Sequence, residues 1–136
     1  MIPPELLAAY ERTVVDLELP GGALRLPSIG SGERAARWPF TRPVYVLTAW
    51  NPWSLPLQPA ENASRQERLR RVLAAAQLHA FRAWGRAEAG GWEEESLALP
   101  WTSEAAALAL ARTFGQQAIY GVVEGRLQVR DASAGG

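Results

Sequence analysis

The sequence contains no cysteine and no lysine, and its 136 residues include a single histidine, His79. Without cysteine the chain forms no disulfide, carries no thiol nucleophile and builds no iron–sulfur cluster or cysteine-ligated zinc site. One histidine excludes histidine-rich metal sites within a single chain. Glutamates with asparagine or glutamine oxygens can ligate Mg²⁺ or Ca²⁺, but the chain has only two aspartates, Asp16 and Asp131, and neither belongs to the predicted polar cluster described below. We therefore expect no metal site, and the sequence names no cofactor.

Neither sign of charge is in excess, because 14 arginines balance 14 acidic residues. A protein that binds nucleic acid mainly through phosphate contacts needs a positive surface, which this composition does not provide. Arginines outnumber acidic residues between positions 65 and 86, a pattern that is typical of a solvated helix face. The segment 95–99, predicted to be a central strand, has no aromatic side chain on which bases would stack. We therefore expect no nucleic-acid partner.

Long apolar runs are also missing. The stretch rich in alanine and leucine at 104–111 is far too short to span a bilayer. The start of the chain lacks the basic region and apolar run of a secretory signal, so we expect a cytoplasmic protein without a membrane partner. The length suits one α+β domain, predicted over residues 1–130, with a flexible tail of small polar residues at 131–136.

Hydrophobic patterning along the chain alternates between helical and strand periods. A short helix is predicted to open at Pro3-Pro4, and longer helices are predicted over 59–77 and from a cap at Thr102 or Ser103 through Phe114. Strands are predicted over residues 13–19, 23–26, 44–50, 79–85, 95–99, 117–123 and 126–130. Residues 27–43 are predicted to form a long surface loop with Trp38 packed against the core.

The order of elements between residues 44 and 123 is strand, helix, strand, strand, helix, strand. This order is typical of the ferredoxin-like, or split βαβ, arrangement. We therefore predict a two-layer α+β sandwich with a ferredoxin-like sheet that is extended by N-terminal and C-terminal strands. In that topology the strand at 44–50 lies between the strands at 95–99 and 117–123 and is antiparallel to both.

Polar side chains cluster at the ends of these predicted elements. The end of the 44–50 strand should lie beside the starts of its two neighbours, and the first long helix begins at the same end of the sheet. On that helix Asn62 shares the inward stripe with four apolar residues, Leu69, Val72, Leu73 and Ala76. We therefore expect seven side chains to converge there: Asn51, Asn62, Arg65, Trp92, Glu93, Glu95 and Gln116.

Three consecutive glutamates accompany the start of the strand at 95–99. Alternation along a strand sends Glu93 and Glu95 to one face and Glu94 to the other. A carboxylate beside Trp92 in a partly apolar cleft would have a raised pKa and would suit a general acid or base. We assign that candidate catalytic role to Glu93 and Glu95. The alternative is an exposed acidic loop in which one glutamate forms an ion pair with Arg65.

The amides and the arginine of this cluster admit two interpretations. In a ligand site, Asn51, Asn62 and Gln116 would orient a bound molecule. Trp92 would complete the ligand-binding set, and Arg65 would contact an anionic group. In a structural network, Asn51 would close a turn and a buried Asn62 would hold the backbone of that turn. The sequence leaves both interpretations open.

Several short motifs, taken in order, resemble a known bacterial family. They are Thr48-Ala-Trp-Asn-Pro52, Glu61-Asn62 with Arg65, Gly91-Trp-Glu-Glu-Glu-Ser96, and Phe114-Gly-Gln116 with Ala118-Ile119. Ala9-Tyr10 and Thr13 also resemble the N-terminal helix and strand of that family, so the resemblance covers nearly the whole chain. The chain is similar to the family catalogued as domain of unknown function 3293. The resemblance implies no activity, since none is established for that family.

Three hypotheses for the function remain. The first is a domain that binds a small-molecule ligand or a nucleotide in the convergent polar pocket. The second is a hydrolase-like enzyme with a glutamate general base and an arginine that stabilises an anion. The third is a protein-interaction module, monomer or homodimer, that pairs through a sheet edge or through Trp38, Trp53 and Trp84.

Overall fold

The computed structural model describes residues 2–51 and 54–133. Its α-helices are α1 (Pro4–Glu11), α2 (Pro59–Ala75) and α3 (Glu104–Thr113). Its strands are β1 (Thr13–Leu19), β2 (Gly22–Leu26), β3 (Val44–Leu47), β4 (Phe81–Ala87), β5 (Glu93–Leu99), β6 (Ala118–Val123) and β7 (Arg126–Asp131). These elements agree with the predicted helices and strands to within a few residues at each end.

The strands of the described residues form one antiparallel sheet in the order β2-β1-β4-β5-β3-β6-β7. Val46 of β3 lies opposite Ala98 of β5 on one side and Tyr120 of β6 on the other. This pairing confirms the predicted position of β3 between two antiparallel neighbours. Hairpins of β1 with β2 and of β6 with β7 extend the sheet at both edges. The architecture is therefore a mixed α+β fold built on one seven-stranded antiparallel sheet.

Both faces of the sheet carry buried apolar residues. On one face, α2 and α3 pack against strand side chains such as Leu47. On the opposite face, Val46 and Ala98 belong to a second core, against which Tyr10 of α1 and Trp38 of the loop pack. The contact of Trp38 with the core is as predicted. A two-layer sandwich has helices on one face only, whereas here α1 and the 27–43 loop also pack against the other face.

The buried stripe of α2 differs in part from the predicted one. The buried residues of the helix are Asn62, Gln66, Leu69 and Leu73. Val72, predicted to face inward, is 41% exposed, and Ala76 is exposed and follows the last helical residue. An α-helix makes one turn every 3.6 residues. A buried stripe that contains positions 62, 69 and 73 therefore also contains position 66, whereas position 72 lies outside its edge. A buried glutamine therefore joins the buried asparagine on this helix.

Side chains set the ends of two elements. β3 ends at Leu47, three residues earlier than predicted, because the next amide groups bond to side chains instead of a neighbouring strand. Ala49 N donates to Gln66 Oε1 at 2.9 Å, and Trp50 N donates to Thr48 Oγ1 at 3.0 Å. At the start of α3, Ser103 Oγ accepts from a main-chain N–H, so Ser103 is the cap of this helix.

The C-terminal segment continues the sheet further than predicted. β7 includes Asp131, and Ala132 is fully buried, with its N–H donating to Gln117 O at 2.9 Å. Residues 134–136 of the predicted tail lie outside the described residues. Among the helices that the structure describes, none combines the length and the apolar character that crossing a membrane requires.

Candidate functional site

A cavity of about 410 Å³ lies at the predicted end of the sheet. The end of β3 and the starts of β5 and β6 line it, together with α1 and parts of β1 and β4. Its apolar wall includes Val15, Val46 and Tyr120, which belong to the core on the α1 face of the sheet. This apolar wall is therefore formed by the core on the α1 face of the sheet, and the sequence analysis did not predict that core.

Glu94 is the acidic residue that lines this cavity within the described chain. Its side chain is partly buried, and its Oε2 accepts a hydrogen bond from Asn51 Nδ2 at 2.8 Å. Burial raises the pKa of Glu94 to about 6, and the hydrogen bond from Asn51 opposes that rise. Among the described residues Asn51 is the one hydrogen-bond donor to this carboxyl group, which leaves the other oxygen free for a ligand.

Glu93 and Glu95 lie on the opposite face of β5 from Glu94, as strand alternation predicts. Arg86 Nε lies 3.1 Å from Glu93 Oε2. Glu95 forms ion pairs with Arg70 and with Arg82 on the face of the sheet that carries α2. Neither carboxylate lines the cavity. The two glutamates assigned a candidate catalytic role are thus engaged by arginines, and the partners are not Arg65.

The side chain of Asn62 holds the turn that follows β3. Its Oδ1 accepts from Asn51 N at 2.9 Å, and its Nδ2 donates to Asn51 Oδ1 at the same distance. Asn51 Oδ1 also accepts from Leu57 N at 3.0 Å. Asn51 has a φ of 47°, a left-handed conformation that asparagine tolerates better than most residues. With Oδ1 occupied by two donors, the Asn51 amide directs its Nδ2 toward Glu94.

Arg65 bonds to the backbone and does not line the cavity. Its Nε donates to Ala49 O at 2.7 Å, and its Nη2 donates to Phe114 O at the end of α3. Burial lowers the pKa of Arg65, and the nearby Arg68 adds to this effect. A guanidinium that ties the end of β3 to the last turn of α3 is a structural group. Its predicted contact with an anionic ligand has no support from this geometry.

Gln116 and Trp92 do line the cavity, as does Asn51. Gln116 Nε2 donates to Trp50 O at 2.9 Å, so this amide also helps to hold the turn after β3. Trp92 is 45% exposed. The predicted cluster therefore divides into three residues that line the cavity, two that lie behind it, Asn62 and Arg65, and two that face away, Glu93 and Glu95.

Two tyrosines that the sequence analysis did not select line the cavity from α1 and β6. Tyr10 Oη donates to Ala118 O at 3.0 Å, and Tyr120 Oη donates to Tyr10 O at 2.7 Å. Their ring centroids lie 4.9 Å apart in an edge-to-face arrangement. Burial raises the pKa of both phenols, so each remains neutral with its proton directed to a carbonyl. The sequence signal available for them was aromatic character near the end of a helix and inside a strand, 110 positions apart.

A buried glutamine that the sequence analysis also missed supports the site from behind. Besides accepting from Ala49 N, Gln66 Oε1 lies 3.4 Å from Thr48 Oγ1, which donates to Glu95 O at 2.7 Å. Its position four residues after Asn62 on α2 was the available signal, because i and i+4 share a helix face. Within the described residues, no group of three or more potential metal-ligating side chains is present.

Comparison with known proteins identifies a family and no function. A family model described as "Protein of unknown function (DUF3293)" matches residues 47–119, which is more than half of the chain. The matched segment contains the turn after β3, all of α2, and the glutamates of β5. Neither a curated protein nor a solved structure matches the chain.

Proposed function

The chain belongs to the DUF3293 family, whose description assigns no function, and we propose that it binds a small molecule in the cavity beside Glu94. One observation carries this proposal: a partly buried carboxyl group lines a cavity of about 410 Å³ and has a single protein hydrogen-bond donor among the described residues. Ligand sites are typically concave, mostly apolar and equipped with a few oriented polar groups. Asn51, held by Asn62, orients Glu94 in this way.

The contacts of Arg65 weaken the hypothesis that the ligand is a nucleotide. Arg65, expected to contact an anionic group, instead bonds to two backbone carbonyls. Among the described residues, the basic side chain that lines the cavity is that of Arg12, which is exposed. A nucleotide carries phosphates that need several donors or cations, and Glu94 would repel them. The geometry therefore favours a ligand without phosphate groups.

An enzyme with Glu94 as general acid or base is the second candidate function. The pKa of about 6 supports it, because proton transfer is most efficient when the pKa of the group lies near the working pH. Glu94 takes over the role that the sequence analysis gave to Glu93 and Glu95. In this version Glu94→Gln abolishes turnover of a substrate while its binding persists.

The proposal also includes the predicted sheet arrangement, cellular location and partners. The neighbours β4, β5, β3 and β6, with α2 and α3 in the connections between them, support a ferredoxin-like centre within the larger sheet. The absence of cysteine supports a cytoplasmic location, and the balanced charge supports the absence of a nucleic-acid partner. The guanidinium groups of Arg82 and Arg86 both lie over the Trp84 ring, so this ring is a poorer homodimer contact than predicted. Trp53, the other tryptophan of that prediction besides Trp38, lies outside the described residues.

A fragment screen tests the proposed function. Compounds of varied charge are screened by protein-detected NMR, and the shifts of Gly85 and Ala118 amides report on occupation of the cavity. We expect hits that shift both amides and that Glu94→Gln weakens. Glu93→Gln is the matched control, since Glu93 is adjacent in sequence but faces away from the cavity. A broad set with no compound that shifts these amides contradicts the proposed function.

A further inference from the structure

We propose that the ligand is an organic ammonium ion with an apolar body, whose charged nitrogen lies beside Glu94. This inference rests on the proposed function and adds the chemical class of the ligand. It follows from which hydrogen-bonding groups of the cavity are already engaged, from the aromatic rings that line it, and from the charges at its wall.

Four hydroxyl groups of the cavity wall direct their protons to protein carbonyl groups. Besides the two phenols, Thr13 Oγ1 donates to Ala9 O at 2.8 Å, and Thr48 Oγ1 donates to Glu95 O at 2.7 Å. A hydroxyl group has one proton, so a hydroxyl that has donated it can only accept from a ligand. Thr48 Oγ1 already accepts from Trp50 N, and Thr13 and Tyr120 share a side-chain hydrogen bond. Among the described residues, the Tyr10 hydroxyl therefore adds an acceptor to the carboxylate of Glu94.

The side-chain amides of the wall also donate to the protein. Asn51 Nδ2 donates to Glu94, and Gln116 Nε2 donates to Trp50 O. Among the described lining residues, the side-chain groups that can still donate are the second N–H of Asn51 Nδ2, the Ser96 hydroxyl, the Trp92 indole and the guanidinium of Arg12. The second carboxyl oxygen of Glu94 and the phenol oxygen of Tyr10 are acceptors, and a ligand group that carries several N–H donors and a positive charge matches them.

Aromatic rings reinforce this preference. Tyr10, Tyr120 and Trp92 line the cavity together with Glu94. The face of an aromatic ring attracts a cation, and rings combined with a carboxylate are a recurrent way to bind ammonium groups. Arg12 is exposed to solvent, which screens its charge, whereas Glu94 is partly buried. The balance of charge inside the cavity is therefore negative.

The size and lining of the cavity define the rest of the ligand. A volume of about 410 Å³ lies within the range of small-molecule sites. The apolar side chains Val15, Val46 and Ile119 offer a surface that suits a hydrocarbon or aromatic body. A small polyamine without an apolar segment would leave this surface uncovered. An arylalkylamine satisfies both the acceptors and the apolar wall.

A matched series of three probes tests the assignment: phenethylamine, 2-phenylethanol and phenylacetate. They share a phenyl ring and a short chain but carry a positive, a neutral and a negative polar group. Dissociation constants are measured by calorimetry and by NMR titration at pH 7.5 on the full chain. We expect phenethylamine to bind at least about tenfold more tightly than the alcohol, and phenylacetate to bind most weakly.

Variants locate the preference at Glu94. Glu94→Gln is expected to remove the advantage of the amine over the alcohol, while Glu93→Gln preserves it. Equal or weaker binding of the amine in the wild-type protein overturns the ammonium assignment without any variant. If the alcohol or the carboxylate still shifts the Gly85 and Ala118 amides, the proposed function stands. If neither these probes nor the fragment set shifts them, both proposals fail.

Discussion

Asn51 and Glu94, 43 positions apart in the sequence, are joined by a hydrogen bond of 2.8 Å from amide to carboxyl group. The side-chain amide of Asn51 has little freedom to rotate away from Glu94. Its Oδ1 accepts from Asn62 Nδ2 and from Leu57 N, and the main-chain N–H of Asn51 donates to Asn62 Oδ1. The carboxyl group is consequently presented to the cavity in one orientation. Such support of one polar side chain by another is what keeps a binding group in a fixed position.

Glu94 should lower the stability of the protein at neutral pH. Its pKa is raised from 4.5 in the unfolded chain to about 6, so the folded state favours the protonated form. Stability contributed by that proton is present below pH 4.5 and is lost as the pH rises toward 6. We expect Glu94→Gln to be more stable than wild type by up to about 2 kcal/mol at pH 7.5 and equal to it at pH 4.

Urea unfolding at the two pH values measures this difference, with the exposed Glu93→Gln as control. Because each comparison is made with wild type at the same pH, titration of other carboxyl groups cancels. The groups that face Glu94 from α1 and β6, Tyr10 and Tyr120, remain neutral in this range. A Glu94→Gln variant that is less stable than wild type at pH 7.5 would contradict the direction of the pKa shift.

Affinity for an amine should rise with pH. Binding requires ionised Glu94, and about nine-tenths of a group with a pKa near 6 is protonated at pH 5. We therefore expect the dissociation constant of phenethylamine to fall about tenfold between pH 5 and pH 7. Calorimetry across this range measures it. The alcohol serves as control, because its affinity should change little, and a flat profile for the amine would argue against Glu94 as its partner.

Removal of the Asn62 side chain should weaken both the fold and the orientation of Asn51. Asn62→Ala deprives Asn51 of two hydrogen bonds inside the protein, which should cost roughly 1–3 kcal/mol in the free energy of unfolding. Ser64→Ala, at an exposed position of the same helix, is the control. If Asn62 has a purely structural role, the pKa of Glu94 should not change. Positioning of Asn51 predicts that the Glu94 pKa, followed by NMR titration, rises further as its donor loosens.

Arg65 should contribute to the stability of the fold and not to the binding of a charged ligand. Its guanidinium reaches both Ala49 O and Phe114 O, which one ammonium group cannot match in geometry. We expect Arg65→Lys to lower the free energy of unfolding by about 1–3 kcal/mol. Arg71→Lys, whose side chain is 72% exposed, should have almost no effect. If Arg65→Lys instead selectively weakened binding of phenylacetate with stability unchanged, Arg65 would be a ligand contact.

The convergence of polar residues was predictable because it depends on sheet pairing. The positions of Asn51, Asn62 and Gln116 at one end of the sheet followed from the order of elements. Which face of β5 carries the cavity did not follow, since alternation separates Glu94 from Glu93 and Glu95 without naming the inner face. That choice depends on α1, which packs against the sheet through contacts between Tyr10 and residues about 110 positions away.

The buried stripe of α2 and the end of β3 were also not predictable from local patterns, because both depend on buried polar residues. Hydrophobic periodicity does not select Gln66, because a glutamine carries no apolar signal. Its buried Oε1 nevertheless accepts the N–H of Ala49 and helps to end β3 three residues early. Such a side chain is stabilised by partners that only the folded structure brings together. Local patterns therefore locate the elements, and the polar contacts between them set their ends.

Both outermost strands of the sheet carry arginine, Arg25 on β2 and Arg126 with Arg130 on β7. Charged side chains on an edge strand oppose the addition of a strand from another molecule, which is the first step toward fibrils. In a chain without lysine, arginine fulfils this protective role. Concentrated solutions of the protein should consequently resist intermolecular β-sheet formation, and replacing these arginines with apolar residues should weaken that resistance.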